Sequence, residues 1–159
     1  MKHTINLQEF NRYLNAKQKE VEQYLKTQAA YDAGTVALEH IEQNFLTESF
    51  EGQPWQEVQR RIPGTKAYNR FAKHRPSMNK LRILTNTRAL QDSIYQDVTD
   101  GQSLIVSDSV YADVHNEGLH AGRGRGFTMP KRQFIGQSEA LVNDIKEKIT
   151  ESFHNLFKR

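Results

Sequence analysis

Apolar residues at Leu7, Phe10, Leu14, Val21 and Leu25 recur near helical spacing, with Gln, Lys and Glu on the other face. This predicts an amphipathic helix, with Asn6 as its cap. A second run, Val36, Leu38, Ile41, Phe45 and Leu46, predicts another helix. Gly34 favours a break near Asp32–Gly34, because a glycine inside a helix costs ~1 kcal/mol relative to alanine. Gly52-Gln53-Pro54 ends this helical region. Far downstream, Leu141, Ile145, Ile149, Phe153 and Leu156 make the clearest amphipathic helix in the chain.

Between these helices the periodicity lapses. Residues 54–82 carry Pro54, Pro63-Gly64 and Pro76 without a steady period. They read as a long loop, with one helical turn around Trp55–Arg61. A loop of that length in a compact domain is uncommon and is functional or disordered. Order returns at Leu81-Arg82-Ile83-Leu84. Thr87 caps a short helix, Arg88–Ser93, with Leu90 and Ile94 facing inward. Ile94–Val98 and Leu104–Ser107 read as strands joined by Asp100-Gly101, a dipeptide that favours tight hairpins. Val110–Glu117 reads as a short helix ended by Gly118. Gly122, Gly124 and Gly126, interleaved with Arg123 and Arg125, form a flexible basic loop. Met129-Pro130 opens an extended stretch through Phe134-Ile135. The predicted class is α+β: a small antiparallel sheet packed against N-terminal helices and a C-terminal amphipathic helix, with a long basic loop. We expect one domain over residues 1–159: a helical region (1–50), the basic loop (54–82) and an α+β core with the last helix (83–159).

Composition changes this picture in one respect. At 159 residues a single core is feasible, since such a domain hides roughly 68–70% of its unfolded surface. Yet only 36% of residues are hydrophobic and mean hydropathy is −0.77, so much of the chain is exposed or covered by a partner. The net charge of +3 conceals a division. Met1–Glu57 holds 5 Lys/Arg against 9 Asp/Glu; Val58–Gln91 holds 9 Lys/Arg and no acid; the remainder holds 8 against 10. Such asymmetry concerns partners rather than fold.

Candidate chemistry is sparse. Without cysteine, disulfides, thiolate metal sites and Cys nucleophiles are excluded. Asp113, His115 and His120 suggest a metal or nuclease site, but histidines five apart lie ~140° from a common helix face, and Gly118 intervenes. A surface or capping role is expected instead. Ser93, Ser107 and Ser109 lack a nucleophile-elbow context, and Gly122–Gly126 lacks Walker or Rossmann spacing. Neither a cofactor nor an enzyme is expected. Met1-Lys2-His3-Thr4-Ile5-Asn6 lacks the apolar stretch of a secretory signal, and no run has the ~20 apolar residues that cross a bilayer. A soluble protein made in a cytoplasm, with no membrane partner, is expected. Trp55, the only tryptophan, reads as a core plug. The basic segment from Arg60 to Arg82 also holds Tyr68 and Phe71, which could stack on bases. It admits three readings: solvated surface, protein contact or nucleic-acid contact.

Four blocks occur in order. Phe45–Phe50 is followed by Gly52-Gln53-Pro54-Trp55. Next comes Ile83-Leu84-Thr85-Asn86-Thr87-Arg88-Ala89-Leu90-Gln91-Asp92-Ser93-Ile94. Tyr111-Ala112-Asp113-Val114-His115-Asn116-Glu117-Gly118 and Met129-Pro130-Lys131-Arg132-Gln133-Phe134-Ile135-Gly136 complete the set. The ordered set resembles the phage virion morphogenesis family, which includes tail-completion proteins of contractile-tailed phages. Roughly the first 40 residues carry no part of this resemblance. One departure stands out: after Thr87 the family has glycine and this chain has Arg88, which implies ordinary helix-start geometry in place of a positive-φ turn.

The resemblance implies a structural virion protein at the head-proximal end of the tail, assembled in the host cytoplasm. It would finish the tail and join it to the head as a homo-oligomeric ring matching a six-fold axis, next to tail tube or terminator and head connector proteins. Trp55, Thr87, Leu90, Ser93, Ile94, Tyr111, His115, Gly118, Pro130, Arg132, Phe134 and Gly136 are then motif residues with structural duties. Tyr111, Ala112 and Val114 would tuck a short helix onto the sheet, while His115 and Asn116 bond to backbone. Arg60, Arg61, Lys66, Arg70, Lys73, Arg75, Arg123, Arg125, Lys131 and Arg132 are candidate contacts to a partner or, non-specifically, to packaged DNA. The alternatives are a DNA-contacting protein and a transient assembly adaptor at the head–tail interface.

Overall fold

The computed structural model describes residues 6–99 and 101–158. The N-terminal reading on Met1–Ile5, and Asp100 of the hairpin turn, lie outside the described residues, as does Arg159.

Helix α1 (Leu7–Thr27) starts where Asn6 accepts hydrogen bonds from the N–H groups of Gln8 (3.1 Å) and Glu9 (3.3 Å). It ends at Gln28, and α2 (Ala29–Thr47) follows directly. The break is therefore at Gln28, not near Asp32–Gly34, because both of those residues are consumed by packing. The buried Asp32 carboxylate accepts from the Tyr24 hydroxyl (3.1 Å), Gln28 Nε2 (2.9 Å) and Ser152 Oγ (3.2 Å). A Cβ at the buried Gly34 would collide with the Ser103 and Gln96 side chains.

Glu48, in the left-handed region (φ 54°), stops α2. Strands β1 (Ser49–Phe50) and β2 (Gln53–Pro54) then pair through Glu51 (φ 48°) and Gly52 (φ 74°), a tight two-residue turn. The segment expected as a long loop is more ordered than that. It holds a 3-10 turn at Gln59–Arg61, helix α3 (Lys66–His74) and a 3-10 turn at Pro76–Lys80. Thr65 caps α3, its hydroxyl accepting from Tyr68 N at 3.1 Å. The helix was concealed because it is short and its only covered face is the half-buried set Ala67, Tyr68 and Phe71.

Helix α4 (Ala89–Asp92) departs from expectation in its first residue. Arg88 has φ 60° and ψ −2°, so it keeps the left-handed backbone that suits glycine. Thr87 still contributes, accepting from Ala89 N at 3.4 Å. Strands β3 (Ile94–Thr99) and β4 (Gln102–Ser107) pair antiparallel from Ile94↔Ser107 to Thr99↔Gln102. Helix α5 (Ala112–Glu117) closes at Gly118 (φ 71°), where a Cβ would press on Lys131 N at 2.9 Å. A further ribbon, β5 (His120–Ala121) with β6 (Phe127–Thr128), carries the glycine-rich loop at its tip. Helix α6 (Glu139–Lys158) ends the described chain.

The class is α+β, with the strands divided among three separate two-stranded antiparallel ribbons. α2 is the common neighbour of α1, α6 and the β3–β4 hairpin. The main core lies at its C-terminal end: Ile41, Phe45, Trp55, Ile83, Leu90, Ala112 and Phe134, flanked by Val58, Leu84, Ile94, Ile105 and Ile135. The predicted stripe of α6 is half-buried at every position, and Phe153 stands edge-on to Tyr24 at 5.4 Å.

Candidate interaction surfaces

The candidate contact cations fall into two groups. Arg60 is half-buried; its Nε donates to Met78 O (3.0 Å) and its Nη2 to Leu81 O (2.9 Å) and Arg82 O (2.7 Å). Burial first, then the neighbouring Arg61, pushes its pKa below the ordinary guanidinium value. Arg61 donates from Nη1 to both carboxylate oxygens of Glu48 at 2.7 Å, and this bond raises its pKa. Glu48 also accepts from Ile83 N at 2.7 Å. Of these two expected partner or DNA contacts, Arg60 thus closes the basic segment on itself and Arg61 ties it to Glu48 at the end of α2.

The second group is free. Lys66, Arg70 and Lys73 stand at i, i+4 and i+7 of α3, one exposed face. Arg75 is exposed just beyond, and Arg123 and Arg125 project at the tip of the β5–β6 ribbon. Among the described residues none of these six cations makes a salt bridge. Lys131, also exposed, faces Glu117 at 3.3 Å.

The motif residues converge on the core. Trp55 is buried, lies 5.6 Å from the Phe45 ring, and donates from Nε1 to Gln133 O at 2.8 Å. Phe134 is fully buried. Asn116 Oδ1 accepts from both Phe134 N (2.9 Å) and Ile135 N (3.0 Å), while Asn44 Nδ2 donates to Phe134 O (3.2 Å). Leu90 is buried and Ile94 packs on the core. Ser93 Oγ donates to Leu90 O (2.7 Å) and pairs with Ser107 Oγ (2.8 Å). Pro130 is half-buried, and a Cβ at Gly136 would crowd the Gln133 side chain and the Phe50 ring.

Three motif residues are placed differently from expectation. Tyr111 is 65% exposed; Ala112, buried, does the tucking, because α5 begins at Ala112, two residues later than the expected Val110, and leaves Tyr111 outward. His115 is half-buried and its ring does not bond to backbone. Its carbonyl accepts from Arg132 N at 2.8 Å, while its buried Nδ1 has no partner. Burial first, then Arg132, lowers its pKa. Arg132 is not an open contact: it is 5% exposed, and burial lowers its pKa too.

Asn116 bonds to backbone as the sequence led us to expect, through Phe134 N and Ile135 N. Sequence reasoning missed Glu48, which had no local signal, since its role depends on Arg61 and Ile83 meeting it in space. The arm formed by the first turns of α1 was missed as well. Residues 6–16 are exposed throughout, and Leu7, Phe10, Tyr13 and Leu14 are 68%, 52%, 47% and 45% exposed. The first tie to the body is Lys17, whose Nζ donates to Leu156 O at 2.7 Å.

Among the described residues, no group of three or more His, Asp and Glu side chains is placed to hold a metal ion, and no helix is long and apolar enough to cross a membrane. Residues 5–154 match the model of the phage virion morphogenesis family. The match reaches into α1, well ahead of Phe45 where the quoted motifs begin. The chain is also similar to "Mu-like prophage FluMu G protein 2" of Haemophilus influenzae, 33% identical over 89 residues. That region covers 53% of this chain and spans 64% of the relative's length. No solved structure matches.

Proposed function

Because the chain belongs to the phage virion morphogenesis family, we propose that it is a structural virion protein that completes the tail and joins it to the head. On this reading it assembles in the host cytoplasm, then sits at the head-proximal end of the tail as a closed ring of copies. Its neighbours there are tail tube or terminator proteins and the head connector. The observation that carries the reading is the α1 arm. Residues 7–16 are the first turns of a 21-residue helix, they lack the tertiary packing from which most helical stability comes, and they expose four large apolar side chains. Such a segment gains its stability from a neighbouring chain. The charges favour a head-to-tail contact: exposed Glu39 and Glu42 lie on α2, opposite in sign to the α3 face. Contacts between two different patches close into rings when the rotation allows. Rings held by charge should weaken by ~0.5 M salt, where screening is strong; indifference to salt would exclude the charge contact.

Electron microscopy of particles from a prophage lacking this gene tests the reading. Full heads beside unattached or overlong tails are expected, and normal infectious particles would refute it. Mass spectrometry of purified wild-type particles should find the chain; its absence would make it an assembly adaptor instead.

The unpaired cations on α3 favour a second reading, contact with the packaged genome. Binding to duplex DNA should then ignore sequence and fall steeply with log salt. No binding at low salt would remove this reading.

A further inference from the structure

Arg132 is the most buried cation among the described residues, and no carboxylate there lies within ion-pair distance of it. Its Nε donates to Gln56 O at 3.1 Å and its Nη1 meets only the Met129 sulfur at 3.9 Å. Its Nη2 makes no hydrogen bond among the described residues. A guanidinium offers five N–H donors, so most of this one is unspent. Desolvating a charge without a counter-ion is among the costliest arrangements in a protein.

Arg132 lines an open cleft of about 620 Å³, together with Arg60, His115, Phe127, Met129 and Pro130. The charge there is unbalanced. Arg60 has its bonds satisfied by backbone carbonyls but still contributes its positive charge. The one carboxylate on the wall, Glu57, attracts Arg132 through space but pairs with Arg61 at 3.3 Å. The cleft thus combines apolar walls, excess positive charge and a recessed guanidinium fork.

We propose that this cleft is a docking slot for an acidic side chain of a protein partner, whose carboxylate pairs with Arg132. Fork-shaped pairing with carboxylates is what guanidinium geometry favours. Depth decides between the anions that charge alone would attract. A carboxylate on a flexible side chain reaches a recessed group, and its methylenes suit the Phe127–Pro130 wall. A duplex presents its phosphates on a broad, stiff surface and meets exposed cations such as those of α3 instead. The slot stands apart from the place proposed for the protein in the tail.

The test is an NMR titration of the full ¹⁵N-labelled chain, reading the Arg132 Nε–H signal. Three probes are added in turn: the capped tripeptide Ala-Glu-Ala, its Ala-Gln-Ala counterpart, and a short DNA duplex. The Glu peptide is expected to shift the signal at concentrations at least about tenfold lower than the Gln peptide, the factor that a charge-assisted bond confers. Equal responses to both peptides, a response to the duplex at lower concentration than to the Glu peptide, or none to any probe would overturn the proposal. Arg132 is buried, so a variant that spares it is needed. Thr128→Glu, an exposed position on the cleft wall, is expected to supply the missing carboxylate, raise the melting temperature and abolish the peptide response. An undiminished response in that variant would equally overturn the slot.

Discussion

At the motif end, Phe45, Ile83 and Phe134 are 1%, 2% and 0% exposed, and side chains from three separate segments bond to backbone around Phe134. At the helical end no residue of α6 is fully buried, and α1 begins as an arm with nothing against it. One end is a completed core; the other is stripes, of which α6 and the later turns of α1 have found neighbours within the chain and the first turns of α1 have not. Amphipathicity states that a helix needs a partner, and it is silent on which molecule supplies one. On the proposed reading, the rigid body would keep its shape while the uncovered arm engages a neighbour.

The widest separation between the ends should come from two phenylalanines. Phe134→Ala is expected to cost about 3–5 kcal/mol, the range for removing a buried aromatic. Phe10→Ala, at 52% exposure, should leave the melting temperature of the unassembled protein almost unchanged and weaken assembly. Thermal unfolding of both variants, with sedimentation of assembled material, checks the pair. A large loss of stability from Phe10→Ala in the unassembled protein would show that the arm is already packed.

Next in size is Asn116→Ala. It removes the single oxygen that accepts from two backbone N–H groups, and an unsatisfied buried donor costs about 1–3 kcal/mol. A loss of about 2 kcal/mol in urea unfolding is expected. Deuterium exchange at Phe134 and Ile135 should speed up, while exchange in α6 away from the core stays as it was. Faster exchange spread evenly over both ends would contradict their independence.

The two ends also differed in how far the sequence disclosed them. The stripe of α6 was legible because each of its positions repeats one physical requirement. The helix of α1 was equally legible, but its lack of a covering was not, since exposure depends on what the rest of the chain leaves open. Helix α3 was hidden between Pro63-Gly64 and Pro76, which mark turns without announcing the nine-residue helix between them. The β5–β6 ribbon has two residues per strand, too few for alternation to register. The candidate site was legible as motifs, with Trp55 and Phe134 where an apolar plug and an anchor should be. Its electrostatics were not: Arg132 sits in a Met-Pro-Lys-Arg run that reads as surface, and only the fold shows it buried. Likewise the fold, and not the run of charges, separates Arg60 and Arg61 from Lys66, Arg70 and Lys73.

Lys17 is where the arm meets the body, so it tests the boundary itself. Its Nζ reaches Leu156 O at the C-terminal end of α6 and Glu20 at 2.8 Å, and a cation there complements the helix dipole. Lys17→Ala is expected to cost about 1 kcal/mol and to loosen the last turn of α6 without touching the motif end. Exchange rates around Leu156 read this directly. Unchanged rates there would move the boundary of the arm further along α1.

The smallest effect lies at the motif end and has the opposite sign. Arg88 holds φ 60° without being glycine, and a left-handed L-residue costs roughly 1–2 kcal/mol. Arg88→Gly removes that strain but adds about 0.5–1 kcal/mol of unfolded-state entropy. It also gives up the Arg88–Asp92 pair, which at 3.7 Å and 65% exposure of both side chains contributes a few tenths of a kcal/mol at most. The balance is a gain of about 0.5 kcal/mol, read as a higher urea midpoint at unchanged slope. A loss instead would mean that Arg88 does something through its side chain that outweighs its backbone. The completed end of the molecule would then have a functional contact at the turn that Arg88 makes.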